Sequence, residues 1–412
     1  MTISLKDYEP IIGSDALDEL HRLATPLQGK GFQHVNSTRV GGGVAEILFR
    51  MVPLFQELGI HAWWDVIPGN EEFFRITKSF HNGLQGQAVF LTNKDFETYL
   101  QVNHLNAKQI PLSGDIVLIH DPQPAAMIEY YWTQAHRQVF IWRCHIDVSQ
   151  PDRTLWRFLE TYVRRYRSTI FSAPQFAQRL PLPQFLVPPS IDPLSPKNED
   201  LAPEYVRQTL ERFQLDPSRP ILAQISRFDT FKDPVGVIQA YRLVRKSIDC
   251  QLVLAGGGAT DDPEASLVLS EVRQAAGNDP DIHILELPPR SDREINALQR
   301  AAAVVIQKST REGFGLTVAE ALWKGQPVVG GAVGGIPLQV IDGVNGFLVH
   351  SPEGAAFRIR TLLQNPGQAD EMGRRGREHI LNNFLITRHV RQYLLVILAS
   401  LKITERVLSQ AA

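Results

Sequence analysis

The 412-residue sequence predicts an α/β protein made of two doubly wound domains with parallel sheets. Short β-rich runs alternate with amphipathic helical stretches in both halves, as expected when crossover helices join parallel strands. The length is about two to three times that of a usual single domain. A proline-dense stretch near the middle separates the two series of alternating elements.

In the first half, Phe32–Asn36, His61–Ile67, Asp115–His120 and Gln138–Trp142 read as strands. Ile47, Leu48, Met51, Leu54, Phe55 and Leu58 recur at helical spacing, with Pro53 as a candidate kink. In the second half, Pro220–Ile225, Gln251–Ala255, Ile282–Leu285, Ala303–Ile306 and Pro327–Val329 read as strands. Pro181, Pro183, Pro188, Pro189, Pro193, Pro196 and Pro203 exclude a central strand or helix between them and suit a stiff connector. The expected domains are residues 1–195 and 196–390. An apolar C-terminal helix in 391–412, through Tyr393–Leu401, is expected to cross back onto the first domain, and a homodimer stays open. Facing doubly wound domains bind ligands at the carboxyl ends of their strands, so a cleft between them is the expected site.

Composition narrows the function classes. Hydrophobic residues at 43% and charged residues at 21% mark a globular chain able to build its own cores. Lys+Arg 42 against Asp+Glu 44 gives a net charge of −2, which excludes a global positive field for nucleic acid or an anionic membrane. The most apolar late segment, Leu394–Leu401, falls far short of the roughly 20 residues that span a bilayer. Lys6, Asp7 and Glu9 break the apolar run that a secretion signal needs, so a cytoplasmic protein is expected. Cys144 and Cys250 are the two cysteines, too few for a disulfide framework or a four-cysteine zinc site. No His-Glu-x-x-His, paired Cys-x-x-Cys or calcium-loop spacing occurs, and no required metal or other cofactor is expected.

The densest motif is Arg311-Glu312-Gly-Phe-Gly-Leu-Thr-Val-Ala-Glu320-Ala-Leu-Trp-Lys-Gly325, after the strand ending at Ile306. Gly313 and Gly315 let backbone approach a ligand closely. The amides opening the next helix, across Gly313, Phe314, Gly315, Leu316 and Thr317, can then donate to sugar or phosphate oxygens. Glu312 precedes the turn and Glu320 lies about one turn inside the helix. Two acceptors at different depths suit a hexose and a ribose. Read alone, each is equally an ordinary helix-start or surface carboxylate.

Ser226-Arg227-Phe-Asp-Thr-Phe-Lys232 follows the strand ending at Ile225. A phosphate-bearing ligand carries negative charge, and without a metal a fixed cation must offset it. Arg227 and Lys232 supply two cations near one strand end, the arginine able to hold two phosphate oxygens. An isolated pair would be ordinary surface charge.

Gly41-Gly42-Gly43-Val-Ala-Glu46 follows the first strand, with Asp65 near the end of the next. A dinucleotide-binding dehydrogenase wants a third glycine where Glu46 stands, so a tight turn is preferred. His120 and His145 end successive strands and would face the cleft, where a lone histidine is more often a structural residue. Arg143 and Asp147 alternate with His145 along the chain and are candidate acceptor contacts. Asp279-Pro-Asp281 reads as a surface turn rather than a metal site. Gly256-Gly-Gly258 borders a base pocket or forms a plain turn.

Glu312 and Glu320 around Gly-Phe-Gly, with Gly325-Gln-Pro-Val-Val, Val333-Gly-Gly-Ile-Pro337 and Asp342-Gly-Val-Asn-Gly-Phe-Leu348, resemble the signature of the family-four retaining glycosyltransferases. The resemblance implies a GT-B type fold, two Rossmann-like domains facing across a cleft. It also implies that Glu312 holds the donor sugar, the following amides touch that sugar and Glu320 binds the ribose. Arg227 and Lys232 match the family's diphosphate pair, and His145 matches the histidine beside the donor sugar. The loop with Gly42 and Gly43 matches the loop that closes under the donor phosphates. His34–Leu48, Ser79–Gly86, His120–Pro124, Trp142–Asp147 and Pro188–Leu194 resemble the trehalose-forming, glucosyl-transferring branch, nearly along the whole chain. Gln307-Lys308-Ser309, where many members have Pro-Ser, shares that branch's departure.

The implied reaction is nucleoside-diphosphate-glucose plus glucose giving α,α-trehalose, reversibly and with retention. No carboxylate is assigned to the opposite sugar face as a nucleophile, so same-face attack is favoured, the leaving phosphate taking the acceptor's proton. His145, Glu312, Arg227 and Lys232 are the expected catalytic group, with His120, Arg143 and Asp147 on the acceptor side. Glucose, trehalose and the nucleotide sugar are the expected partners. The alternatives are a retaining trehalose phosphorylase using inorganic phosphate and a non-catalytic two-domain sugar-binding protein.

Overall fold

The computed structural model describes residues 3–39, 43–131, 138–257 and 263–411. Two compact units form, Met1–Pro189 with Ile386–Ala412, and Ser190–Leu385. The divisions lie at 189/190 and 385/386, where 195/196 and 390/391 were expected. The reason is local: Ile191 N donates to Phe384 O at 2.9 Å and Ile191 bridges Leu385, stitching the start of the second unit to its end.

The first unit holds a parallel six-stranded sheet: β1 Gly31–Asn36, β2 His61–Val66, β3 Ile116–His120, β4 Val139–Arg143, β5 Ser168–Phe171 and β6 Gln184–Leu186. Its order is β2-β1-β3-β4-β5-β6. All five residues of β3 and of β4 are buried, which is why these strands read as unbroken apolar runs. The helix Gly43–Glu57 continues through Pro53. The final helix, Ile386–Ala411, belongs to this unit. Ser400 Oγ lies 3.1 Å from Ser168 Oγ on β5, and Arg391 grips both carboxylate oxygens of Glu19 at 2.7 Å.

The second unit has β7 Ile221–Ile225, β8 Gln251–Gly256, β9 Ile282–Glu286, β10 Val304–Gln307, β11 Val328–Gly331 and β12 Gly346–Val349. They pair in parallel in the order β12-β11-β10-β7-β8-β9, the dinucleotide-fold order with its reversal between β7 and β10. Its core joins Leu222, Leu252 and Val304 from the sheet to Val237, Tyr241 and Ile359 from the helices. Ligands of such sheets bind at the reversal, and the loops after β7 and β10 are the two richest in charged residues named from the sequence.

Three strands were not expected. β5 carries Ser168 and Thr169 in its four residues and β12 opens on Gly346, so neither stands out as an apolar run. β6 lies inside the proline-dense stretch, which tolerates it because it is an edge strand where Pro183 need only accept, from Thr169 N at 2.9 Å. Among the described residues, no helix is long and apolar enough to cross a membrane.

Candidate active site

In the second unit the glycine turn opens the helix Leu316–Trp323, with Gly315 at φ 83°. That left-handed backbone favours glycine, and a β-carbon there would sit a tight 3.3 Å from Glu312 Cγ. Gly334, at φ 53°, lies so close to the Glu312 carbonyl that a side chain there would collide with backbone. The loops after β7 and β10 are tied by Thr310 N donating to Phe231 O at 2.8 Å. Gln224 on β7 donates to Lys232 O at 2.7 Å and sets that residue's backbone.

Glu312, 8% exposed, is the hub. Its Oε2 accepts from Lys232 Nζ at 2.6 Å and from Ser309 Oγ at 3.1 Å. Ser309 Oγ in turn accepts from Gln307 Nε2 at 3.0 Å. Both donors converge on one carboxylate oxygen. Lys308, buried in the same loop, is ion-paired to Asp233, whose Oδ1 caps the helix Pro234–Arg245 through Gly236 N. Glu320 is buried in the next helix and its Oε2 accepts from Gln299 Nε2 at 3.2 Å. Nearby, Lys324 Nζ donates to Asn198 Oδ1 at 2.9 Å and Glu320 O at 3.2 Å. Burial lowers the Lys324 ammonium to about 7, partly opposed by Glu320.

The structure thus joins Lys232 to Glu312 but not Arg227, whose side chain is 66% exposed and paired with Asp229 at 3.1 Å. Asp281 of the Asp279-Pro-Asp281 turn is held by Arg219 at 2.6 Å and Arg245 at 2.8 Å, and their hydrogen bonds lower its pKa to about 2. Gly42 and Gly258 lie outside the described residues; Gly43 opens its helix, and Gly256 closes against Ser226 O, where a β-carbon would collide.

In the first unit, His120 Nδ1 lies 3.0 Å from His145 Nε2, and His120 Nε2 lies 3.1 Å from His34 Nδ1. Asp121, at φ 63°, accepts from His145 N at 2.7 Å and from Trp142 Nε1 through its carbonyl at 2.9 Å. Burial raises the Asp121 carboxyl to about 6, opposed by the His145 amide and Arg143. Burial and the Arg143 guanidinium hold His145 well below the usual imidazole range.

Of the acceptor-side candidates, Arg143 and Asp147 are both buried. Arg143 is fully buried and its Nη2 donates to Ser172 Oγ at 3.2 Å. Asp147, 6% exposed, uses Oδ1 to cap Ser149, accepting from its N at 3.0 Å and Oγ at 2.6 Å. Sequence reasoning assigned no role to His34, Gln299, Gln307 or Ser309. For His34 the available signal was a third histidine near the end of a strand; for Gln307 and Ser309 it was the departure from Pro-Ser.

The N-terminal domain model of trehalose synthase matches residues 34–178, and the group 1 glycosyltransferase model matches residues 207–379. A trehalose synthase from Thermococcus litoralis is 48% identical over 95% of each chain. A trehalose phosphorylase from Pleurotus pulmonarius is 30% identical, over 84% of this chain and 54% of its own. The solved UDP-forming α,α-trehalose-phosphate synthase of Burkholderia xenovorans, with glucose-6-phosphate, superposes with TM-score 0.73 at 15% identity, over 90% of this chain and all of that one. That likeness supports the GT-B type fold expected from the sequence. With the family models on both units and near-half identity along almost its whole length, the chain belongs to the trehalose synthase family and is a trehalose-forming hexosyltransferase.

Proposed function

We propose that the protein transfers glucose from a nucleoside-diphosphate-glucose to glucose, forming α,α-trehalose with the donor's α configuration retained. The observation that carries this is the Lys232–Glu312 contact, a cation and a carboxylate set side by side at the sheet reversal of the second unit. In this reading Glu312 Oε1 takes a hydroxyl of the donor glucose, and Lys232 and Arg227 face the diphosphate. The turn amides from Gly313 to Thr317 donate to donor oxygens, and buried Glu320 takes the ribose. Lys232 stabilises the charge that grows as the sugar–phosphate bond breaks. The leaving phosphate oxygen accepts the proton of the attacking hydroxyl on the same face.

In the first unit the reading gives His145 a place beside the donor sugar and His120 a supporting place behind it. Arg143 and Asp147 shape the acceptor side from within. Gly42 and Gly43 belong to a loop under the donor phosphates. Two cations suited to the diphosphate support a reaction that requires no metal. The reading places the enzyme in the cytoplasm, supported by Cys144 and Cys250 being free, buried thiols.

The test is a product assay by carbon-13 NMR with labelled glucose and UDP-, ADP- or GDP-glucose, run beside trehalose with inorganic phosphate. The expected result is α,α-trehalose from at least one nucleotide sugar. Trehalose cleavage with phosphate and no product from any nucleotide sugar would instead establish the phosphorylase.

A further inference from the structure

His34, His120 and His145 lie at the carboxyl ends of β1, β3 and β4, three neighbours in the sheet. Their rings stack in series, His34 to His120 at 5.4 Å and 22°, His120 to His145 at 5.3 Å and 16°. His34 and His120 are at most 1% exposed, whereas His145 is partly exposed. Burial lowers the His34 imidazole to about 3 and His120 well below its ordinary range. Fully buried Arg143 opposes a proton on His120, His145 and His389, and Asp121 is the carboxylate among the groups acting on Arg143. Burial thus favours the neutral form of all three rings.

Neutral rings joined by two hydrogen bonds admit two proton arrangements. His120 has one ring proton. If it sits on Nδ1, it is donated to His145 Nε2, and His34 Nδ1–H must donate to His120 Nε2; every ring is then the Nδ1–H form. If it sits on Nε2, every ring is the Nε2–H form. The arrangements differ at the buried end, where His34 Nε2 has no partner among the described residues. Its ring packs against Phe32 at 4.2 Å and Phe55 at 6.4 Å. The first arrangement leaves a lone pair there and the second an N–H, and a buried N–H without an acceptor is the rarer defect.

We propose that His34 and His120 are positioning residues for His145, a relay that keeps His145 neutral with its proton on Nδ1 and free to donate outward. Among the described residues Nδ1 of His145 has no other hydrogen-bond partner. The consequence rests on the reading that His145 stands beside the donor sugar. There, a neutral N–H donates to a sugar oxygen without placing a cation against the positive charge that develops at the anomeric carbon.

The full-length protein labelled with nitrogen-15 histidine tests this by long-range proton–nitrogen correlation, which distinguishes the two neutral forms. His145 is expected as Nδ1–H between about pH 6 and about pH 8. His34→Phe removes the donor to His120 and should release His145 into a mixture, with kcat down by roughly tenfold and donor KM within about twofold. His34→Gln, whose amide N–H can donate to His120 Nε2, should recover most of both signals. An Nε2–H form or a charged ring at His145 in the wild type overturns the relay, whatever the fate of the variants. If the wild type shows Nδ1–H and His34→Phe shifts it without changing kcat, the relay stands and the catalytic place given to His145 falls.

Discussion

Lys232 Nζ donates to Glu312 Oε2 across 2.6 Å, joining two strand-end loops 80 residues apart. Neither side chain is more than 17% exposed, so the pair interacts in a poorly solvated place where each partner sets the other's direction.

Groups that act as a unit do not lose activity additively. Glu312→Ala alone is expected to lower kcat by roughly 10²–10³, the scale of removing one preorganised electrostatic contact. Adding Lys232→Ala should cost clearly less than the product of the two single losses. Steady-state kinetics of the four proteins checks this; strictly multiplicative losses would mean that the two residues work independently.

Ser309→Ala removes the second donor to Glu312 Oε2 while leaving Lys232 in place. A hydrogen bond to a charged group contributes about 1.5–3 kcal/mol, so a loss of roughly 10- to 10²-fold in kcat/KM is expected, no larger than at Glu312. Retained wild-type kcat/KM would show that the Gln307–Ser309 chain does not orient the carboxylate.

Arg227 separates binding from stability. Its ion pair with Asp229 is largely exposed, and such pairs contribute about 0–1 kcal/mol. Arg227→Ala should leave the melting temperature nearly unchanged and raise donor KM. Calorimetric melting beside donor titration reads both, and an unchanged KM would remove Arg227 from the diphosphate site.

Lys324 predicts a pH-dependent stability. Its folded pKa of about 7 lies below the ordinary 10.5, so between these values the unfolded chain binds a proton that the folded chain gives up. Stability contributed by this group therefore rises with pH from about 7 towards about 10.5, and below about 7 the full cost of a buried charge remains. Relative to wild type, Lys324→Met should become less stable as pH goes from about 6 to about 9. Urea unfolding at several pH values measures the difference; a flat difference contradicts the assignment.

Much of this was legible because buried parallel strands have continuous apolar sequences. Ile221–Ile225 and Ile116–His120 could hardly be anything else. β5 and β6 were hidden by short length, Ser168 and Thr169 in one and flanking prolines in the other. At the site, Lys232, Glu312 and Glu320 were readable from a dense motif. Their partners were not, because Ser309 and Gln299 meet them only through loop and helix geometry. His34 was hidden for a different reason: β1 lies between β2 and β3, and that strand order, not chain order, brings His34 beside His120. The complete burial of Arg143 was not legible either, because a charged residue at a strand end reads as one that faces solvent or a ligand.

The most direct measurement is single-turnover glucose transfer by Lys232→Ala, with the fold verified by circular dichroism and donor held at saturation. The account predicts trehalose formed with retention but roughly 10²–10³ more slowly than by the wild type, because the departing diphosphate has lost its fixed cation. A rate within about threefold of wild type would contradict it, since no electrostatic contact of that kind would then be at work.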